Sequence, residues 1–105
     1  MLVLREEVFG PIAALASVSS EEEMVRIANS TEFGLGAAIW TGDIAKAERL
    51  ARQIASGFVA INGIVKSDPR LPFGGVKKSG FGRELSHYGL KEFVNIKTIV
   101  ISGRS

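Results

Sequence analysis

The fold class follows from residues 35–62, which read LGAAIWTGDIAKAERLARQIASGFVAIN. Leu35 to Thr41 is an apolar run containing Ile and Trp, which is typical of a strand. After a Gly42–Asp43 break, the apolar residues recur at helical spacing: Ile44, Ala47, Leu50, Ala51 and Ile54. We therefore predict a helix capped by Asp43 and ended by Gly57 at its C′ position.

Two further strands and another helix complete this pattern. Phe58 to Asn62 (FVAIN) reads as a buried strand, and so does the short apolar run from Pro11 to Ser17. After the run that ends at Ser17, Ser20 and Glu23 form a capping-box pattern that predicts a helix ending near Asn29. The order strand, helix, strand, helix, strand implies right-handed crossovers, so we expect an α/β fold with a mainly parallel sheet.

The rest of the chain is less regular. From Gly63 to Gly82 the apolar periodicity disappears, which predicts a long loop, and long loops inside compact domains are usually functional. A short helix near Arg83–Tyr88 and a final strand over Val94–Ile101 follow. Branched residues lie on both faces of that strand and nothing after it covers them. The strand either completes the chain's own sheet or pairs with another molecule, and its apolar edges favour the second.

Composition excludes several classes of function. The 105 residues are 46% apolar and 23% charged, as in one small globular domain or part of a larger one. Residues 1–65 carry five basic and eight acidic side chains, and residues 66–105 carry eight and three. This mildly basic second half has no row of stacking aromatics, so we expect no nucleic-acid partner.

Other absences narrow the choice further. The sequence contains no cysteine, which excludes disulfides, cysteine-bound zinc and a thiol nucleophile within this chain. No run approaches the roughly 20 apolar residues of a membrane span, and the start MLVLREEVFG does not read as a signal peptide. We therefore expect a cytoplasmic protein without a membrane partner.

Three candidate motifs give little on pattern alone. Residues 72–84, PFGGVKKSGFGRE, suggest a phosphate loop, but they fit neither the Walker nor the Rossmann glycine pattern. The single histidine, His87, has no cysteine or carboxylate cluster beside it in sequence, so no metal site or catalytic triad is indicated. Glu6 and Glu7 point to opposite faces of an extended chain, which favours a solvated charge pair over a carboxylate dyad.

Four segments taken together resemble the C-terminal quarter of the NAD(P)-dependent aldehyde dehydrogenase superfamily. They are EEVFGP (6–11), NSTEFGLGAAIWTGD (29–43), FVAIN (58–62) and PFGGVKKSGFGRE (72–84). The insert VKSDPRLPFGG is most similar to that of succinate-semialdehyde dehydrogenases. The resemblance implies a C-terminal part of the catalytic domain over residues 1–93, and an oligomerisation strand and tail over residues 94–105.

The resemblance also implies roles for individual residues. Glu7 would bind the hydroxyls of the nicotinamide ribose, and Phe9 would pack against the nicotinamide. The segment from Asn62 to Phe73 would line the aldehyde entrance, with Ser67 and Arg70 able to meet a substrate carboxylate and Phe73 either bordering the substrate or belonging to the core. The family reaction needs a cysteine thiolate and a glutamate base, and in the family both belong to parts of the fold upstream of these motifs. No catalytic residue is therefore expected in this chain.

Two functions are compatible with these features. In the first, the chain is part of a dehydrogenase that oxidises an aldehyde to its acid with NAD or NADP, and alone it has no activity and binds no cofactor. In the second, it is a non-catalytic protein that binds dehydrogenase subunits through its last strand. In both cases we expect self-association or association with aldehyde dehydrogenase subunits.

Overall fold

The computed structural model describes residues 6–103, beginning with an extended segment that leads to the first helix, α1 (Glu21–Ala28). Ser20 is the N-cap, and its Oγ accepts a hydrogen bond from the Glu23 N–H (3.1 Å). The Glu23 carboxylate reaches back to the N–H and hydroxyl of Ser19 (3.0 and 2.9 Å) instead of the N-cap itself. The predicted cap is confirmed, with its reciprocal bond moved by one residue.

Six elements follow α1 in the described part of the chain. They are β1 (Phe33–Gly34), β2 (Gly36–Ile39), α2 (Ile44–Ala51), β3 (Phe58–Ile61), β4 (Val76–Lys77) and α3 (Ser86–Lys91).

The parallel strand–helix–strand unit is confirmed. β2 pairs with β3 in parallel, from Gly36 opposite Phe58 to Ile39 opposite Ile61, and α2 is the crossover between them. Asp43 caps α2 as predicted, since its carboxylate accepts from the Lys46 N–H (2.9 Å).

Two asparagine side chains bracket this unit. The Asn29 amide donates to the Gln53 carbonyl (2.8 Å) and accepts from the Ala55 N–H (2.7 Å). At the other end, the Asn62 amide accepts from the Thr41 N–H and donates to the Thr41 carbonyl, both at 2.8 Å. Each amide thus makes a pair of bonds to main-chain groups at one end of the sheet.

The predicted length of α2 is wrong. The helix ends at Ala51 with Arg52 as its C-cap, and the chain reaches Gly57 through turns. The Asn29 amide explains the early end, because it binds the main chain at residues 53 and 55 and draws it away from the helical path. Side-chain capture of main-chain groups competes with helical hydrogen bonds in this way.

The glycine-rich segment is more ordered than a simple loop. β4 pairs antiparallel with β1, and Phe73 forms an isolated bridge with Glu84. Gly57 makes this packing possible, since a Cβ there would lie 1.8 Å from the Gly74 carbonyl oxygen.

The position predicted for the short helix near Arg83–Tyr88 is wrong by about one turn. α3 begins at Ser86, because the main chain of Glu84 is used in the bridge to Phe73 (2.7 and 2.8 Å). Leu85 and Ser86 also have positive φ (62° and 52°), which separates the bridge from the helix.

The two ends of the described chain form no strands. Pro11 to Ser17 forms no strand and its side chains are exposed, so the predicted buried strand is wrong. An apolar run becomes a strand only where another strand pairs with it, and the described chain provides none here. Val94 to Ile101 is also exposed and pairs with no strand of residues 6–103, so it completes no sheet there, and its pairing with another molecule stays a prediction.

Little of the chain's apolar surface is buried. Within the described residues only Ala47 and Leu50 are buried hydrophobic side chains. The radius of gyration is 18.8 Å, whereas a compact chain of this length has about 13 Å. The folded part therefore presents apolar faces that the described chain does not cover, which is expected of a segment that packs against more protein.

Candidate functional site

Glu7 lies on an open cleft of about 260 Å³, formed where β1 and β2 meet the glycine-rich segment. Two glycines shape the cleft: a Cβ at Gly34 would lie 2.6 Å from the Ala55 carbonyl oxygen, and one at Gly36 would lie 2.7 Å from a Val65 methyl. Both glycines are therefore packed closely against residues outside the cleft, and they line the cleft through their own main chain.

Ser79 fixes another wall of the same cleft. Its hydroxyl accepts a hydrogen bond from the Gly34 N–H (2.9 Å), which ties the glycine-rich segment to β1. Thr31 and Phe33 also line the cleft. The carboxylate of Glu7 is exposed, so it remains available as a charged hydrogen-bond acceptor.

Phe9 is 88% exposed and follows Glu7 after one residue. The chain turns immediately afterwards, where Gly10 has a φ of 140° and its carbonyl accepts from the Ile12 N–H (2.8 Å). Neither Glu7 nor Phe9 is enclosed in a core, so both can contact a ligand or another part of a larger protein.

The predicted substrate residues do not form one cluster. Ser67 is exposed, and Arg70 is held by Asp68, whose carboxylate accepts from Nε (2.9 Å) and Nη2 (2.6 Å). Hydrogen bonds from Arg70 lower the pKa of Asp68, and the Asp68 carboxylate raises the pKa of Arg70. Phe73 is half-buried and its ring lies tilted against Phe58, with centroids 6.1 Å apart.

A second cavity of about 390 Å³ lies on the other side of Ser79. Phe73, Phe81 and Phe93 supply its aromatic lining, and Glu84 and Glu92 its carboxylates. Phe73 therefore borders this second cavity and not the cleft of Glu7, and neither cavity includes Ser67 or Arg70 in its lining.

Arg83 holds the glycine-rich segment in this shape. Its Nη1 donates to the carbonyls of Gly75 (2.8 Å) and Gly82 (2.6 Å), at the two ends of the turn that carries Ser79. These two bonds give Arg83 a structural part in the loop, because its Nη1 joins the ends of the turn.

Sequence reasoning missed several residues of this site. Thr31, Gly34 and Ser79 come together only through the β1–β4 pairing, and two-residue strands leave no periodic signal. Asp68 did have a signal, because an aspartate followed by a proline favours a turn in which its side chain accepts from the main chain two residues on.

Residues 6–103 show neither a metal-binding cluster nor a membrane-spanning helix. No group of three or more His, Asp or Glu side chains in that range is placed to hold a metal ion. The helices described there are all too short or too polar to cross a bilayer.

Comparison with known proteins gives the family. The model of the aldehyde dehydrogenase family matches residues 1–99. An aldehyde dehydrogenase of Paenarthrobacter nicotinovorans is 52% identical over 99 residues, covering 94% of this chain and 22% of that protein. The NAD(P)+ succinate semialdehyde dehydrogenase Sad of Escherichia coli (strain K12) is likewise 52% identical over 99 residues, covering 94% of this chain and 21% of that protein.

A solved structure agrees with these relatives. The succinic semialdehyde dehydrogenase of Streptococcus pyogenes, crystallised in complex with NADP+, superposes with a TM-score of 0.91 at 43% identity, covering 95% of this chain and 22% of that one. This chain therefore spans about a fifth of the length of the proteins it matches. The predicted resemblance and the α/β class are confirmed, and the chain belongs to the aldehyde dehydrogenase family.

Proposed function

We propose that this chain is the part of an NAD(P)-dependent aldehyde dehydrogenase that binds the nicotinamide ribose and borders the aldehyde entrance. The observation that carries the proposal is the placement of Glu7, whose exposed carboxylate lies on an open cleft, two residues before the exposed ring of Phe9. Both side chains are available for a ligand that a larger protein holds against them.

The residues present fit the nicotinamide end of the cofactor. A carboxylate suits two neighbouring ribose hydroxyls, because a charged acceptor makes stronger hydrogen bonds than a neutral one. The exposed face of Phe9 suits packing against a flat ring. When bound, NAD(P)+ supplies the hydride acceptor for aldehyde oxidation. The part played by Glu7 and Phe9 is to orient that ring.

The catalytic groups would come from other parts of the enzyme. The chain has no cysteine, and its glycine segments do not fit a pyrophosphate-binding loop. We therefore expect the purified chain to produce no NAD(P)H from NAD(P)+ and aldehyde, and to bind neither cofactor measurably. Steady NADPH absorbance at 340 nm in such an assay would contradict the proposal.

The substrate side is proposed from fewer contacts. Ser67 and Arg70 are exposed polar groups on the segment before Phe73, and they suit an aldehyde bearing a carboxylate, such as succinate semialdehyde. The names of the Escherichia coli and Streptococcus pyogenes relatives support this substrate, and the relatives are named for NAD(P)+ or NADP+. Phe73 would act indirectly, since it packs on Phe58.

The C-terminal residues support association. Residues 94–105 would form the oligomerisation strand and tail, and the exposed apolar side chains of Val94 to Ile101 favour pairing with another subunit. The same observation favours the second candidate, a non-catalytic protein that binds dehydrogenase subunits. To test this alternative, the chain is mixed with the full-length Escherichia coli enzyme. Co-elution of the two, with the activity of the enzyme unchanged, would support it.

A hybrid enzyme tests the main proposal. The 99-residue stretch of this chain that aligns with the Escherichia coli relative replaces its counterpart there, and the hybrid is assayed with succinate semialdehyde. We expect activity, and we expect Glu7→Gln to raise the KM for cofactor about tenfold, because a hydrogen bond to a charged group contributes about 1.5–3 kcal/mol and the amide keeps part of it.

The neighbouring carboxylate provides the matched control. Glu6→Gln removes the same charge one residue away, outside the lining of the cleft, and should change the KM for cofactor less than twofold. Equal effects of the two substitutions would mean that net charge, and not a bond made by Glu7, decides cofactor affinity.

A further inference from the structure

Asp68 and Arg70 form a two-point contact within a tight turn. The Asp68 carboxylate accepts from Arg70 Nε through Oδ1 (2.9 Å) and from Nη2 through Oδ2 (2.6 Å). Oδ1 also accepts from the Arg70 main-chain N–H (2.9 Å). A carboxylate that binds both the side chain and the main chain of the same arginine fixes the direction in which the guanidinium points.

The turn that carries this pair is itself anchored. The Asp68 carbonyl accepts from the Leu71 N–H (2.9 Å), and the Pro69 carbonyl accepts from the Ser86 N–H at the start of α3 (3.0 Å). Pro69 has a restricted φ, so the turn has little freedom of its own. The turn that carries the guanidinium is therefore fixed relative to the start of α3.

The contact uses only one edge of the guanidinium. Arginine has five N–H donors, and Asp68 takes one on Nε and one on Nη2. The edge formed by Nη1 and Nη2 remains for a second carboxylate. The Arg70 side chain is 86% exposed, whereas that of Asp68 is 30% exposed, so this outer edge is accessible.

We propose that Asp68 is a positioning residue, which holds Arg70 so that its outer edge binds the carboxylate of the aldehyde substrate. The inference rests on the proposed function and deepens it, because it assigns selectivity for carboxylate-bearing aldehydes to an Asp-x-Arg pair. Ser67, directly before the pair, lies on the same exposed segment. A lysine at position 70 would supply the charge without the second edge.

The first test uses the full 105-residue chain and asks whether the pair exists in solution. Solvent exchange of the Arg70 Nε–H is measured by ¹⁵N NMR, with the resonance assigned from its loss in Arg70→Lys. We expect exchange to become about fivefold faster in Asp68→Asn, because the amide keeps the turn but offers one acceptor oxygen instead of two. Equal exchange rates in the two chains would overturn the inference.

The second test uses the hybrid enzyme and compares succinate semialdehyde with butanal, an uncharged aldehyde of the same chain length. Asp68→Asn and Arg70→Lys should each raise the KM for succinate semialdehyde about fivefold, leave kcat unchanged and leave the KM for butanal unchanged. Asp43→Asn is the matched control, since asparagine is also a good N-cap for α2, and should change neither KM.

The outcomes separate the two proposals. A hybrid with Asp68 and Arg70 intact that oxidises neither aldehyde removes the proposed function and this inference with it. An active hybrid in which Asp68→Asn lowers the KM for succinate semialdehyde, leaves it unchanged, or raises both KM values alike overturns only the inference. A fall in KM would mean that Asp68 competes with the substrate for Arg70.

Discussion

Two regions of the described chain differ in secondary structure although both contain large apolar side chains. One is the middle, residues 20–92, and the other is the pair of end segments, residues 6–19 and 93–103. The middle has capped helices, a parallel strand pair and an antiparallel pair. The end segments have large exposed apolar side chains, including Leu15 and Ile101, and form neither helix nor strand. Glu7 and Phe9 belong to an end segment.

This difference shows what a local pattern can and cannot specify. Apolar residues at strand or helix spacing show where the chain favours burial, but burial needs a partner. In the middle the partner is another element of the same chain. At the ends the described chain supplies none, so we expect other protein to supply the remaining apolar contacts and to cover the open side of the Glu7 cleft.

The largest effect should come from breaking the middle region at Gly57. Gly57→Ala places a Cβ 1.8 Å from the Gly74 carbonyl oxygen, and main chain on both sides leaves no flexible side chain to give way. We expect a loss of about 3 kcal/mol in the free energy of unfolding, measured by urea denaturation followed by circular dichroism. Gly42→Ala, which meets nothing within 4 Å, should change it by less than about 0.5 kcal/mol.

An intermediate effect should come from the C-terminal end segment, and should be seen in association instead of stability. Ile99→Asp puts a charge on a side chain that is 78% exposed, so the unfolding midpoint should hold while the association constant falls about tenfold or more. Light scattering at micromolar concentration measures this. Ile64→Asp, at a 73% exposed isoleucine of the middle region, is the matched control and should leave association unchanged.

The smallest effect should come from the contact between α1 and α2. Lys46 and Arg49 each approach the Glu21 carboxylate to 2.7 Å, and their hydrogen bonds lower its pKa below the ordinary value of 4.5. A carboxyl whose pKa is lower in the folded chain stabilises it above the unfolded pKa, and this contribution disappears as the pH falls through the folded pKa.

Glu21→Gln should therefore lower the urea midpoint slightly at pH 7 and by less at pH 4, below the unfolded pKa of 4.5. Because the group is exposed, added salt should reduce the difference at pH 7. Glu22→Gln, at the adjacent carboxylate, which forms no ion pair with Lys46 or Arg49, should stay much closer to the unsubstituted chain at both pH values. A pH-independent difference for Glu21→Gln would mean that packing, and not charge, joins the helices.

The sequence predicted the features that depend on near neighbours. The Ser20 and Asp43 caps and the parallel pairing of β2 with β3 are all confirmed, because capping residues and apolar runs act over a few positions. The family, recognised from four motifs in order, is confirmed as well.

The features that depend on distant contacts were missed. The early end of α2 results from Asn29, 24 residues away from its partner Gln53, and the start of α3 is delayed by the Phe73–Glu84 bridge. The Glu7 cleft likewise needs Ser79 to meet Gly34 across 45 residues. No local propensity carries such information. The roles of Glu7, Phe9, Ser67 and Arg70 came from family resemblance and stay predictions until the hybrid enzyme is tested.

The two asparagines at the ends of the parallel pair have a consequence for strand alignment. β2 and β3 share only four residue pairs, and a slip by one position would turn every side chain of β3 to the opposite face. Asn29 and Asn62 each offer one donor and one acceptor to the main chain, as a neighbouring strand would. These bonds fix the main chain before β3 and join the far ends of β2 and β3, so they favour the observed register in a sheet of only four residue pairs.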